Sequence, residues 1–145
     1  MTEETTEAAE ALVAVWSHAA QAVSPYLSAP QLQALLIARR RPSINLRGLA
    51  EAVGAAPSAV SRLCDRLEAA GFLRREAAPT SRREIGLVLT PRGHEMIDTL
   101  FARRAELFDH VMTHMPADSR QELLRGLRAF SAAARRSDTN GAEHP

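Results

Sequence analysis

The sequence predicts a mainly α (α+β) chain: a winged helix-turn-helix flanked by long N- and C-terminal helices. Three observations carry that prediction. Residues 45–73, NLRGLAEAVGAAPSAVSRLCDRLEAAGFL, read as two short amphipathic helices around a glycine turn. Residues 72–89 alternate as two strands joined by a loop that carries Arg82 and Arg83 at its tip. On either side of this block, apolar residues recur at helical spacing over long stretches.

The first helix is expected over residues 7–23, where Leu12, Val15, Trp16, Ala19, Ala22 and Val23 share a face. Ser24-Pro25 interrupts it, because proline restricts the residue before it. Ser28-Ala29-Pro30-Gln31 is a capping box for a second helix, with Leu27 and Leu32 placed as a hydrophobic staple. That helix ends near Arg40, before Pro42. Ser43-Ile44 reads as a short strand. Asn45 caps the third helix, whose buried face is Leu46, Leu49, Ala50 and Val53. Gly54 makes the turn, since it reaches positive φ at no steric cost. Pro57 suits the first position of the fourth helix. Its inward stripe is Val60, Leu63, Cys64 and Leu67, and Gly71 stops it.

Strands follow over residues 72–76 and 84–89, joined by residues 77–83. Thr90-Pro91 opens a helix over 91–114 with the stripe Ile97, Leu100, Phe101, Leu107, Phe108, Val111 and Met115. Pro116 separates it from a last helix that carries Leu123, Leu124, Leu127 and Phe130, with Asp118 as the expected cap. The domain reading is a flexible acidic N-terminus (1–6), one domain over 7–136 and a flexible tail (137–145). Within the domain, 7–26 and 91–136 are dimerisation helices and 28–90 is the winged helix lobe.

The overall charge of +1 hides an asymmetry. Residues 39–92 hold 11 arginines and 5 acids, a local charge of +6 between acidic ends. Such a segment implies a localised face for a polyanion. All 18 basic residues are arginine, the side chain whose planar fork suits phosphate and guanine. No apolar run reaches a membrane span of roughly 18 residues. The acidic start, MTEETTEAAEAL, lacks the basic and apolar regions of a secretory signal. A single cysteine, Cys64, excludes an intrachain disulfide. The expected location is therefore the cytoplasm, associated with the nucleoid when DNA-bound.

A helix-turn-helix places the N-terminal residues of its second helix against base edges in the major groove. Here those residues are Pro57, Ser58, Ala59, Ser61 and Arg62. Arg62 is positioned for a guanine or a phosphate, and Arg66, further along, for a phosphate. Arg82 and Arg83 are placed to reach a neighbouring minor groove.

These blocks resemble the MarR (multiple antibiotic resistance regulator) family over roughly residues 10–135. The likeness lies in LSAPQLQALL (27–36), NLRGLAEAVG (45–54), SAVSRLCDRLEAAGFLRR (58–75) and TSRREIGLVLTPRG (80–93), which occur in family order. The resemblance implies a winged helix regulator of transcription. It also implies a homodimer built by the terminal helices and a palindromic double-stranded DNA operator. Ser58, Ser61 and Arg62 match its recognition helix, and Arg83 matches the wing arginine of its Asp-x-Arg pattern. Ser81 stands where that pattern has Asp, and Ala56 where a capping Ser or Thr often precedes the recognition helix. A repressor relieved by a small-molecule effector is the expected mode. The effector would sit between the dimerisation helices and the DNA-binding lobe, with Trp16 and His18 as candidate contacts. A twofold dimer would space its recognition helices about 34 Å apart, or a multiple of that.

Other chemistry has weaker support. His110 and His114 are four apart beside Asp109, yet two histidines make an incomplete zinc site. Cys64 falls on the inward stripe, where cysteine behaves as a small hydrophobe. The family's peroxide sensors use a cysteine in the N-terminal helix, and this chain has none there. There is no phosphate-cradling glycine loop, nucleophile elbow or complete metal motif, so no enzyme, catalytic residue, metal or cofactor is expected. The alternatives are a winged helix used only for protein contacts and a metal- or redox-responsive regulator.

Overall fold

The structure is a computed structural model that describes residues 2–23, 27–78 and 81–141. The elements run α1 (Glu3–Val23), α2 (Ala29–Arg40), β1 (Ile44–Asn45), α3 (Leu46–Val53), α4 (Pro57–Ala69), β2 (Leu73–Ala78), β3 (Ser81–Leu89), α5 (Pro91–Thr113) and α6 (Ala117–Gly141). The chain divides into two compact units, Met1–Ala105 and Glu106–Pro145.

The first unit holds the winged helix-turn-helix. Its sheet has the order β1-β3-β2, antiparallel throughout, with Ile44 opposite Leu87 and Leu73 opposite Leu89. Leu35 from α2, Leu49 from α3, Val60, Cys64 and Leu67 from α4, Leu87 from β3 and Ile97 from α5 form one buried core. The local signals act as expected. Ser28 Oγ accepts from the Gln31 N–H at 3.3 Å, and Gln31 Oε1 accepts from the Ser28 N–H at 2.8 Å, closing the capping box. Asn45 Oδ1 accepts from the Gly48 N–H at 2.7 Å and caps α3.

The second unit comprises the end of α5 and all of α6. Three of its large apolar side chains are markedly exposed, Val111 by 44%, Leu124 by 46% and Phe130 by 74%, while Leu107, Phe108, Leu123 and Leu127 are half-buried.

Several boundaries depart from the sequence reading. α1 begins at Glu3, so residues 3–6 are helical, and it ends at Val23. The Thr2 carbonyl accepts from both the backbone N–H and the hydroxyl of Thr6, and Glu3 and Glu4 suit the positive end of the helix dipole. α6 continues to Gly141 instead of ending near Arg136. The Ala132-Ala133-Ala134 run favours propagation, and the Ser137 hydroxyl donates to the Ala133 carbonyl at 3.1 Å. Asp118 is not the cap of α6: the Pro116 carbonyl already accepts from the Arg120 N–H, which puts Asp118 inside the first turn. There it acts on the helix dipole instead. The hairpin strands are longer than expected, which leaves a shorter connection. Arg82 and Arg83 are thus backbone members of β3 and do not sit at a loop tip. The Ser24-Pro25 break, the Pro79-Thr80 connection and residues 142–145 lie outside the described residues. Among the described residues, no helix is long and apolar enough to cross a membrane.

Candidate nucleic-acid interface

The turn between α3 and α4 rests on Gly54, at φ 75°, whose N–H returns to the Ala50 carbonyl at 2.9 Å. Ala56 precedes α4 without a side-chain cap, and Pro57 supplies its first residue. The helix then divides by periodicity. Val60, Cys64 and Leu67 are buried, while Pro57, Ser58, Ala59, Arg62 and Arg66 are exposed and Ser61 is half-buried. Small side chains at the N-terminal end leave that face open to close approach. Arg62 and Arg66, one turn apart, continue it with two guanidinium groups, and among the described residues neither is in an ion pair.

α4 stops in a Schellman motif. The Phe72 N–H reaches the Leu67 carbonyl and the Gly71 N–H reaches the Glu68 carbonyl, both at 3.0 Å, with Gly71 at φ 82°. β2 therefore leaves the helix within two residues. Leu73 and Arg75 share one face of β2, and Leu73 is buried. Arg75 turns to α4: its Nη2 donates to Asp65 Oδ1 at 2.8 Å and its Nη1 lies 3.3 Å from Glu68 Oε2. The bond to Asp65 holds the Arg75 guanidinium further above its ordinary range. Asp65, on the recognition helix, is thus paired with the first strand of the wing.

In the wing itself, Ala77 faces Ile85 while Ala78 faces Ser81, an irregular register. Irregularities of this kind re-aim side chains at strand ends. The side chains of Ser81, Arg82 and Arg83 lie outside the described residues. Sequence reasoning missed Arg75, although its alternation with Leu73 placed it on the α4 side.

Thr90 joins the wing to α5. Its hydroxyl donates to the Gly71 carbonyl at 2.5 Å and accepts from the Gly93 N–H at 3.0 Å, while its own N–H reaches the Phe72 carbonyl at 3.1 Å. The end of α4 and the start of α5 thereby meet at one side chain.

Cys64 is fully buried, and desolvation pushes its thiol up to about 11. It is a neutral thiol at physiological pH, which fits a core residue and not a redox switch. In the second unit, the rings of His110 and His114 meet edge to face at 5.2 Å, with His114 Nδ1 2.9 Å from the His110 carbonyl oxygen. Among the described residues, no group of three His, Cys, Asp or Glu could hold a metal ion.

Within the first unit, a cavity of about 410 Å³ lies between α1, α2 and α5. Trp16, Leu27, Leu32 and Leu36 supply apolar wall, and Arg40 and Arg104 supply charge. The Arg104 guanidinium stacks 3.7 Å above the Trp16 ring. Arg104 is only 6% exposed, its Nε has no hydrogen-bond partner, and desolvation lowers its pKa. His18 is exposed and, unlike Trp16, does not line this cavity. Residues two apart on a helix point to opposite sides. Arg104 was legible as an arginine on the stripe of Ile97 and Leu100, at the positions that otherwise bury.

Residues 27–85 match the MarR family. The crystal structure of RV1404 from Mycobacterium tuberculosis is 34% identical over 91% of this chain and 90% of that one, with a TM-score of 0.84. The uncharacterized HTH-type transcriptional regulator YfiV of Bacillus subtilis (strain 168) is 25% identical over 107 residues, which are 74% of this chain and 67% of that protein. The fold also recurs, at 14% identity and a TM-score of 0.67, in a variant of S. aureus MepR bound to an oligodeoxyribonucleotide, over 92% of this chain and 99% of that one.

Proposed function

Because this chain belongs to the MarR family of DNA-binding transcriptional regulators, we propose that it acts in the cytoplasm as a homodimeric repressor, with α4 in the major groove of a palindromic operator. The observation that carries this reading is the division of α4. One face locks into the core, and the other presents small residues followed by the guanidinium groups of Arg62 and Arg66, neither of them in an ion pair among the described residues. Pro57, Ser58, Ala59 and Ser61 lie against base edges, Arg62 reads a base, and Arg66 holds a phosphate. Arg82 and Arg83 anchor the flanking minor groove from β3. The S. aureus MepR variant, which shares the fold, is bound to an oligodeoxyribonucleotide, and this supports DNA as the ligand class.

Dimerisation is supported by apolar side chains left open on the terminal helices. These include Val13 (59% exposed) and Trp16 on α1, Phe101 and Val111 on α5, and Leu124 and Phe130 on α6. Exposed apolar side chains that recur along a helix face mark an association site when they form a contiguous patch. A second copy would cover these helices and place two α4 helices on successive turns of DNA.

The cavity beside Trp16 is the proposed effector site. Its apolar walls and two arginines fit a small anion with an apolar body, which would give Arg104 the partner its Nε lacks. An effector relieves repression only through differential affinity for the two conformations of the dimer.

Fluorescence anisotropy tests the DNA reading, with the region flanking the protein's own gene, a scrambled control and several salt concentrations. Selective, salt-sensitive binding at two chains per duplex is expected. Absence of binding to either DNA at low salt would replace it with a winged helix used for protein contacts.

A further inference from the structure

We infer that Arg75 is a positioning residue for DNA binding: it sequesters the two carboxylates of the recognition helix and ties that helix to the wing. The inference rests on the DNA-binding reading above and adds to it a residue outside the contact surface.

α4 carries two arginines for DNA and also two acids, Asp65 and Glu68. The acids are three apart and share one helix face. Asp65 also lies three residues after Arg62, within reach of the guanidinium that is meant for DNA. Left alone, these carboxylates would repel phosphates and draw Arg62 back onto its own helix. Arg75 prevents both. Its fork spans the two acids, at 2.8 Å to Asp65 and 3.3 Å to Glu68. The charge of the α4 acids is thus directed at the wing strand, away from Arg62.

The cluster is too exposed to be chiefly a stability device. Side-chain exposure is 34% at Arg75, 60% at Asp65 and 44% at Glu68. Ion pairs in such settings add little to folding. Their geometric effect is larger, since a planar guanidinium held at two points fixes direction as well as distance. Such a tie matters at α4, which begins without a side-chain cap. Its C-terminal end is secured by the Schellman motif, and Arg75 adds a side-chain restraint on the last two turns, at Asp65 and Glu68, that also ties β2 to the helix.

The test uses the full chain and a random-sequence duplex of roughly 30 base pairs at low salt, long enough for two half-sites. Arg75→Met, which keeps the apolar stem, should weaken binding about five- to tenfold. Its melting temperature should stay within a few degrees of the wild type. Adding Asp65→Asn and Glu68→Gln to that variant should restore affinity to within about twofold, because no free acid then remains. The same two neutralisations made with Arg75 in place should raise affinity much less than they do in Arg75→Met, whereas a direct DNA contact by Arg75 would make the gain equal in both backgrounds. Unchanged affinity in Arg75→Met overturns the inference. So does a loss that persists after the acids are neutralised, or one that tracks a large fall in melting temperature. If the wild-type protein itself binds no duplex, the DNA-binding reading fails and takes this one with it.

Discussion

A Cβ added at Gly93 would lie 2.3 Å from the carbonyl oxygen of Phe72. α5 can begin against the end of α4 only because position 93 has no side chain. The obstacle is backbone, so it cannot swing aside. Gly93→Ala should destabilise the protein by about 1–3 kcal/mol, toward the upper end. Gly126, in α6, is the control: nothing lies within 4 Å of its missing Cβ. Gly126→Ala should be neutral or stabilise by about 0.5–1 kcal/mol through helix propensity. Urea denaturation of the two variants checks the pair, and equal effects would contradict the packing argument.

Thr90 offers a second test of the same junction. Thr90→Val keeps the shape but removes the hydroxyl that donates to Gly71 and accepts from Gly93. A loss of about 1–2 kcal/mol is expected, the sum of a lost cap and a lost tertiary bond. Thr90→Ser should recover most of it, and its failure to do so would assign the effect to packing of the methyl group.

Arg62 and Arg83 separate base reading from anchoring. Arg62→Ala should cost about 1–3 kcal/mol on operator DNA and less on random DNA. An equal loss on both would make Arg62 a phosphate contact. Arg83→Ala should lower affinity and flatten the salt dependence by about one unit of slope. Unchanged affinity and slope would remove the wing from the interface.

The buried thiol gives a pH dependence with a definite sign. Cys64 titrates at about 11 in the fold against an ordinary 9.0. Below pH 9 it is protonated in both the folded and unfolded states and has no effect. Above that, the unfolded chain gives up its proton first, so stability falls as pH rises through the window from 9 to about 11. The slope is about 1.4 kcal/mol per pH unit at most. Cys64→Ala should be less stable at neutral pH and should lose this component of alkaline sensitivity. Parallel stability–pH curves for the two proteins would refute the assignment.

Trp16 is the single tryptophan of the chain and lines the cavity, so at a fixed protein concentration its emission reports changes there. Arg104→Met should change that emission by removing the stacked guanidinium. Benzoate, a simple anion with an apolar ring, should alter the emission of the wild type and not of Arg104→Met. Equal responses to benzoate and to uncharged benzamide would exclude Arg104 as an anion anchor.

The sequence by itself determined the elements and their ends where the decisive interactions are local. The Ser28–Gln31 box, the Asn45 cap, the Gly54 turn and the buried stripe of α4 each depend on residues within about one helical turn. A linear reading therefore captures them. It also placed the exposed arginines of α4, because helical periodicity separates them from Val60, Cys64 and Leu67. It misplaced the ends of α1, α6 and the hairpin, where helix propagation at the two helices and cross-strand pairing at the hairpin extend each element beyond its local signals. Only the tertiary structure decided the partners of charged side chains. Arg75 turns to Asp65 across ten residues, and Arg104 stacks on Trp16 from another helix. An arginine carries the same charge and fork wherever it lies, so its sequence neighbours do not state its partner. The partner follows from which strand or helix the fold lays beside it, and from how much water that contact excludes.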